Sequence, residues 1–282
     1  MEKQRDFKIL HGFHLKIMAM IFMTFDHIGY FLETLENPPK IEAIFRILGR
    51  FSFPLFIFLL VEGVVHTRNF AKYFSRICIL ALCFLVGQLF YYFAVDKNAA
   101  LVSPAVDLVL TSLCVYLLKR NDKFSFLAIL PFGLAVLSLI ARNIELSQAR
   151  PVEWLPFFFR ADYTIFGPIL GIGFFYSNHL ARLFLNSKEE TKTFIGTSYE
   201  RTAINIISAS MLILLTVLFT FIDQHARMKL YSIPWQAYAL FAFIPILFYS
   251  GKRGYDAKWF KYGCYIYFPM HLIIIFLIFS LL

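Results

Sequence analysis

The sequence predicts an all-α, polytopic membrane protein with about nine transmembrane helices and a cytoplasmic N-terminus. Three observations lead there. Of 282 residues, 59% are hydrophobic and only 16% are charged, against about 45–50% and about 25% in a soluble domain, so the chain has too little polar surface to cover itself in water. Apolar runs long enough to cross a hydrocarbon layer recur from one end of the sequence to the other. The positive charges between those runs are also unevenly distributed. The net charge of +9 would suggest nucleic acid in a soluble chain; here its distribution carries the information, and no nucleic-acid partner is expected.

A bilayer core needs about 20 apolar helical residues. The runs that meet or approach this are Leu15–Glu33, Phe51–His66, Tyr73–Ala94, Leu101–Leu118, Phe124–Ala141, Tyr163–Leu183, Thr202–Ile222, Ile233–Ser250 and Gly263–Leu282. The stretch from Pro151 to Arg160, with Trp154 and three Phe, is too short to cross and reads as an interfacial helix. Lys3, Arg5 and Lys8 precede the first run as they would in a signal peptide. That run carries Asp26-His27 and lacks a small-residue cleavage site, so it is expected to stay attached as the first span. Residues 1–282 read as one transmembrane domain, with no repeat, linker or composition shift that marks a second one.

Cytoplasmic loops retain Lys and Arg. Alternate loops beginning with the N-terminus hold 18 of the 27 basic residues and the opposite set holds nine, which places the N-terminus in the cytoplasm and the C-terminus outside. The four cysteines, at 78, 83, 114 and 264, lie in apolar runs without paired spacing, so neither a disulfide framework nor a thiolate zinc site is expected.

Charged groups deep in a bilayer are costly, from about 2.5 kcal/mol upward, so each needs a partner or a task. Asp26 and His27 lie in the first run, Glu62 in the second, Asp107 in the fourth and His271 in the ninth. At about 1.5 Å of rise per residue, His27 is about 18 Å and His271 about 12 Å from the cytoplasmic edge, with Glu62 in the same half of its run. This similar depth suggests one shared polar site. Arg46 and Arg50 share a helix face, as do Glu62 and His66. Asp26 and His27 are adjacent and point about 100° apart, so Asp26 is expected to pair with an arginine of the second segment, leaving His27 to face a substrate.

Simpler readings stand beside these. Either histidine alone fits a hydrogen-bonded packing role, Glu62 has Arg68 or Arg76 as candidate partners, and Asp107 has Lys97 or Arg50. Imidazole and carboxylate at 27, 62, 66 and 271 also suit zinc, but no HExxH or close ligand pair is present inside a span and no metal is expected. Without GxSxG or a glycine-rich phosphate loop, general acid/base chemistry by a buried histidine fits what is left. Buried Asp, His and Glu equally form proton relays in transporters.

Two segments carry a likeness. One runs from Leu15 through Asp26-His27-Ile-Gly29; the other is Arg46-Ile-Leu-Gly-Arg50-Phe-Ser-Phe-Pro through Glu62-Gly63-Val-Val-His66-Thr-Arg68-Asn69, with Tyr73. Together with Gly251-Lys-Arg-Gly254 and Tyr265-Ile-Tyr267-Phe-Pro269-Met-His271-Leu, and more weakly Asp162-Tyr163 and Phe166-Gly167, they resemble the TraX family of conjugal-transfer proteins, which includes pilin acetylases. The resemblance implies a bacterial inner-membrane acyltransferase with acetyl-CoA as co-substrate and a pilin or surface polymer as acyl acceptor. It implies His27 as general base or transient acyl carrier, with Asp26, Glu62, His271 and Tyr267 completing the catalytic set. The coenzyme phosphates would meet Arg68, Lys72, His66, Lys252 and Arg253, and Arg46 and Arg50 would serve Asp26 or the acceptor. A proton-coupled transporter and a non-catalytic assembly factor for surface appendages are the competing readings.

Overall fold

The structure is a computed structural model that describes residues 8–94, 102–148, 150, 152–187, 189–222, 229–230 and 233–281. Lys3, Arg5, Lys97 and Pro151 lie outside the described residues. Helices dominate in the order α1 (Gly12–Glu33), α2 (Ile41–Gly49), α3 (Ser52–His66), α4 (Phe70–Ala94), α5 (Pro104–Arg120), α6 (Ile129–Gln148), α7 (Phe166–Asn186), α8 (Glu189–Lys192), α9 (Ser198–Ile222), α10 (Phe243–Leu247) and α11 (Lys258–Ser280). Short 3₁₀ segments precede α6 and α10, and the extended backbone among the described strands is a two-residue antiparallel ladder of Lys229–Leu230 with Ile233–Pro234.

Among the described residues, six helical segments are long and apolar enough to cross a membrane: Gly12–Glu33, Ile41–His66, Phe70–Phe93, Ser125–Gln148, Ser198–Phe221 and Lys258–Ser280. The chain is therefore a multi-pass membrane protein. The other three expected runs are helical but fall short for different reasons. Pro104–Arg120 has 17 residues. Phe166–Asn186 carries Ser177, Asn178, His179 and Arg182. Trp235–Leu247 is short and mostly 3₁₀ in winding. A further expectation fails outright: the stretch ending at Arg160 is no interfacial helix but a set of bends with one 3₁₀ turn at Phe157–Phe159. Pro156 is extended (φ −58°, ψ 141°), and the Arg160 guanidinium takes the carbonyls of Leu155 and Val152, both at 2.7 Å, so side chain rather than backbone satisfies them.

Contacts cluster into two compact units, one of residues 1–59 and 176–282, the other of residues 60–175. In the first, α1 packs against α2 and against α11. Gly29 faces Arg46 and Gly49 faces Asp26, so the small residues allow the α1 and α2 backbones to approach closely. Along the other seam Phe13 meets Phe260, Thr24 meets Tyr267, His27 meets His271 and Phe31 meets Phe279, so α1 and α11 run parallel. Their common start is held by the loop after α10. The carbonyls of Lys252 and Arg253 accept the Gly12 and Phe13 N–H groups at 2.8 and 2.9 Å, satisfying donors that a helix N-terminus leaves open. That loop turns through Gly251 and Gly254, at φ +75° and +71°; a side chain at Gly254 would strike the His11 Cβ.

In the second unit α5 packs between α4 and α6. Ser103 caps α5, with its hydroxyl accepting the Ala105 N–H at 3.2 Å, and Asn121 in the left-handed region closes it. Lys119 at the far end reaches back to the last carbonyls of α3, donating to Val64 at 2.9 Å and Val65 at 2.8 Å. Beyond the helix, a hydrogen bond from Arg120 holds the Asp122 carboxyl below its ordinary value.

Candidate active site

On α1, Met20 and Thr24 are four residues apart, as are Met23 and His27, and Thr24 and His27 are three apart, which sets them along one side of the helix. On α11, Tyr267 and His271 are four apart, so the parallel packing sets each pair opposite the other. His271 Nε2 lies 3.1 Å from His27 Nδ1. His27 Nδ1 is also 2.8 Å from the Met23 carbonyl, and His271 Nδ1 is 3.0 Å from the Tyr267 carbonyl. A carbonyl only accepts, so in the neutral dyad both rings carry their proton on Nδ1. His27 Nδ1–H is shared between Met23 and His271, and His27 Nε2 retains a lone pair with no hydrogen-bond partner among the described residues. The Tyr267 ring stacks on His271 at 5.4 Å and 9°, and its hydroxyl pairs with Thr24 Oγ1 at 2.5 Å, while Thr24 donates to the Met20 carbonyl at 3.0 Å.

Next to the dyad is an ion cluster. Asp26 Oδ1 receives Arg46 Nη1 at 2.9 Å and Arg50 Nη2 at 2.5 Å, and Arg46 also reaches the Asp26 carbonyl at 3.2 Å and Glu33 at 3.8 Å. The Arg46 guanidinium lies against Tyr30 and Trp235 at 5.6 and 5.4 Å from their ring centroids. The expected pairing of Asp26 with an arginine of the second segment is thus made twice over, and Arg50 is committed to it. Buried charges need this degree of pairing to be tolerated.

The remaining expected site residues divide by place. Lys252 and Arg253 are exposed at the common start of α1 and α11, where Arg253 faces Asp256 at 3.5 Å. Glu62, His66, Arg68 and Lys72 belong to the second unit, at the end of α3 and start of α4. Glu62 is buried, and the histidine next to it is His66, whose Nδ1 lies 4.0 Å from Glu62 Oε2 and 2.9 Å from the Glu62 carbonyl. Arg68 and Lys72 are exposed; Asn69 between them caps α4 by accepting the Lys72 N–H at 2.9 Å. Gly63 is needed there, because a Cβ would come within 2.4 Å of the Tyr73 hydroxyl.

Of the two basic partners expected for Asp107, Arg50 is on Asp26 and Lys97 lies outside the described residues. Fully buried, Asp107 accepts the Asp162 N–H at 2.8 Å and the Tyr163 N–H at 3.2 Å, holding the turn before α7. Thr24, Lys119 and Ser138 are not marked by the sequence either; hydroxyl and capping contacts across helices leave no periodic signal. Among the described residues no three His, Cys, Asp or Glu side chains gather as a metal site.

A parallel pair of membrane helices carrying a histidine dyad, braced by an Asp–Arg–Arg cluster, defines a polytopic protein with a buried basic group. Residues 12–149 match the family model described as TraX protein, which bears out over α1 to α6 the resemblance read from the sequence. Asp26, His27, Glu62, Arg68 and Lys72 lie within that match and His271 beyond it. Over 80 residues the chain is 36% identical to a "Probable fimbrial assembly protein FimC, serogroup H1" of Dichelobacter nodosus, a stretch that is 28% of this chain and 31% of the relative. The chain thus covers about a third of that relative's length. No solved structure matches.

Proposed function

We propose that the protein transfers an acetyl group from cytoplasmic acetyl-CoA to an exported or membrane-associated acceptor, a pilin N-terminal amine or a surface-glycan hydroxyl. The observation that carries this reading is the Nε2 lone pair of His27, which has no hydrogen-bond partner among the described residues and is fixed in place by His271. As the acceptor nitrogen or oxygen attacks the thioester carbonyl, its proton passes to His27 Nε2. The carbon–sulfur bond then breaks and the coenzyme leaves as a thiol, taking that proton. The Nδ1–H of His27 rests on two acceptors, so the positive charge that develops on the ring is stabilised where it forms. His271 Nε2 and the Tyr267 hydroxyl are both engaged within the protein, which favours positioning roles for them over direct donation to the thioester oxygen.

Lys252 and Arg253 lie just before α11, whose start is about 20 Å from His271, a reach that an extended pantetheine arm can cover, so they are proposed to meet the coenzyme phosphates. Parallel packing of α1 and α11 supports an odd span count. Two parallel membrane helices of one chain begin on the same side, which requires an odd total of crossings and favours nine over six. The Lys and Arg bias then puts the start of both helices on the cytoplasmic side of a bacterial inner membrane.

A non-catalytic part in appendage assembly is the second reading, favoured by the name of the fimbrial relative. Calorimetric titration with CoA separates them, since only the transferase requires CoA binding. The decisive assay supplies purified protein with labelled acetyl-CoA and candidate acceptors; absence of transfer to all of them, with no CoA binding, would dismiss the enzymatic reading.

A further inference from the structure

The second unit contains a cavity of about 250 Å³ lined by Val102, Ser138, Arg142, Glu145, Arg160, Ala161 and Asp162, none of which takes part in the proposed acyl transfer. Its wall is built from hydrogen-bonded polar groups. Arg160 binds Glu145 Oε1 at 2.7 Å and two carbonyls, Ser138 accepts the Ala161 N–H at 3.1 Å, and Asp107 accepts the Asp162 N–H. Three residues on from Ala161, Thr164 is held at φ +53°, a region that β-branched residues rarely enter. Glu145 Oε1 also accepts the Val152 N–H at 2.8 Å, whereas its Oε2 takes part in no hydrogen bond among the described residues.

Two guanidinium and two carboxylate groups make the lining neutral overall but strongly dipolar. A purely anionic ligand would meet two carboxylates, and a simple cation two guanidinium groups. The matching ligand carries both charges a few bonds apart. Aromatic side chains collar this end of the unit: Trp154 and Phe159 are 53% and 54% exposed, Phe93 is 68% exposed, and Tyr92 packs on Phe157. Such a girdle marks the level of the lipid headgroups. The opposite end of α5, about 26 Å away, carries Lys119 and Arg120, with Lys123 in the loop that follows.

We propose that this cavity binds the phosphoethanolamine headgroup of a membrane lipid, with phosphate on Arg142 and ammonium on Glu145 Oε2 and Asp162. The ammonium N–H donors distinguish this headgroup from choline, which has none to offer Glu145.

The test is native mass spectrometry of the full chain released from nanodiscs of phosphatidylcholine doped equally with phosphatidylethanolamine and phosphatidylglycerol. Phosphatidylethanolamine should be retained at least tenfold over either competitor, and Glu145→Gln and Arg142→Lys should each erase most of that preference. Glu145→Gln keeps an oxygen for Val152 and Arg160 and so preserves the wall. Free phosphoethanolamine should compete, more weakly than the lipid. Equal retention of all three lipids, a preference untouched by both variants, or displacement by a short peptide but not by phosphoethanolamine would each overturn the proposal. None of these outcomes depends on whether the chain transfers acyl groups.

Discussion

His271 Nε2 accepts from His27 Nδ1 at 3.1 Å across two parallel helices, although the two residues lie 244 positions apart in the chain. That single contact fixes which nitrogen of His27 is left to react, and the first prediction rests on it. His27→Ala should lower acetyl transfer by about 10²–10⁴-fold, the usual contribution of a general base. Transfer by purified variant that inserts normally, at the wild-type rate, would remove His27 from the chemistry.

Thr24 seats the Tyr267 hydroxyl, and the Tyr267 ring in turn stacks on His271. Thr24→Val removes the hydroxyl at nearly constant volume and leaves the Tyr267 O–H without its partner, a loss of about 0.5–1.5 kcal/mol in stability. If the chain Thr24–Tyr267–His271 positions His27, the turnover rate should fall about tenfold with little change in KM for acetyl-CoA, and Thr24→Ser should restore it. A Thr24→Val enzyme with unchanged turnover would reduce Thr24 to packing.

Removing Asp26 would take the shared carboxylate from two guanidinium groups in a place with 10% and 14% side-chain exposure. Asp26→Ala should cost about 3–5 kcal/mol, the scale for breaking a buried ion pair from one side. Thermal unfolding of the detergent-solubilised protein reads this. An Asp26→Ala protein as stable as the wild type would show that Arg46 and Arg50 find other partners.

Two glycines should respond in opposite directions. A Cβ at Gly49 would sit 2.3 Å from the Asp26 Cβ and 2.6 Å from its Cα, and backbone cannot yield as a side-chain tip can. Gly49→Ala should therefore destabilise by about 1–3 kcal/mol or more. Gly133 has nothing within 4 Å of its would-be Cβ, so Gly133→Ala should stabilise α6 by about 0.5–1 kcal/mol through helix propensity alone. The same unfolding measurement compares the two, and equal shifts would contradict the close approach of α1 and α2.

Parallel packing of α1 and α11 predicts that the chain ends on opposite sides of the membrane. Single cysteines placed near residue 10 and residue 281, probed in intact cells with a membrane-impermeant thiol reagent, should label at the C-terminal site alone. Labelling at both or neither would mean an even number of crossings.

The amino-acid sequence by itself determined the solvent, the helical class, the pairing of Asp26 with an arginine of the second segment, and the family likeness. Each of these is local or compositional: hydropathy follows from residue type, and i, i+4 spacing fixes a helix face before any packing occurs. Only the tertiary structure decided that His27 meets His271 while Glu62 sits in another unit beside His66, because equal depth along separate helices says nothing about which faces turn toward each other. It also decided the role of Asp107, whose partners are two backbone N–H groups 55 and 56 residues away. Backbone donors are carried by every residue except proline, so no sequence pattern marks the two that a buried carboxylate will find.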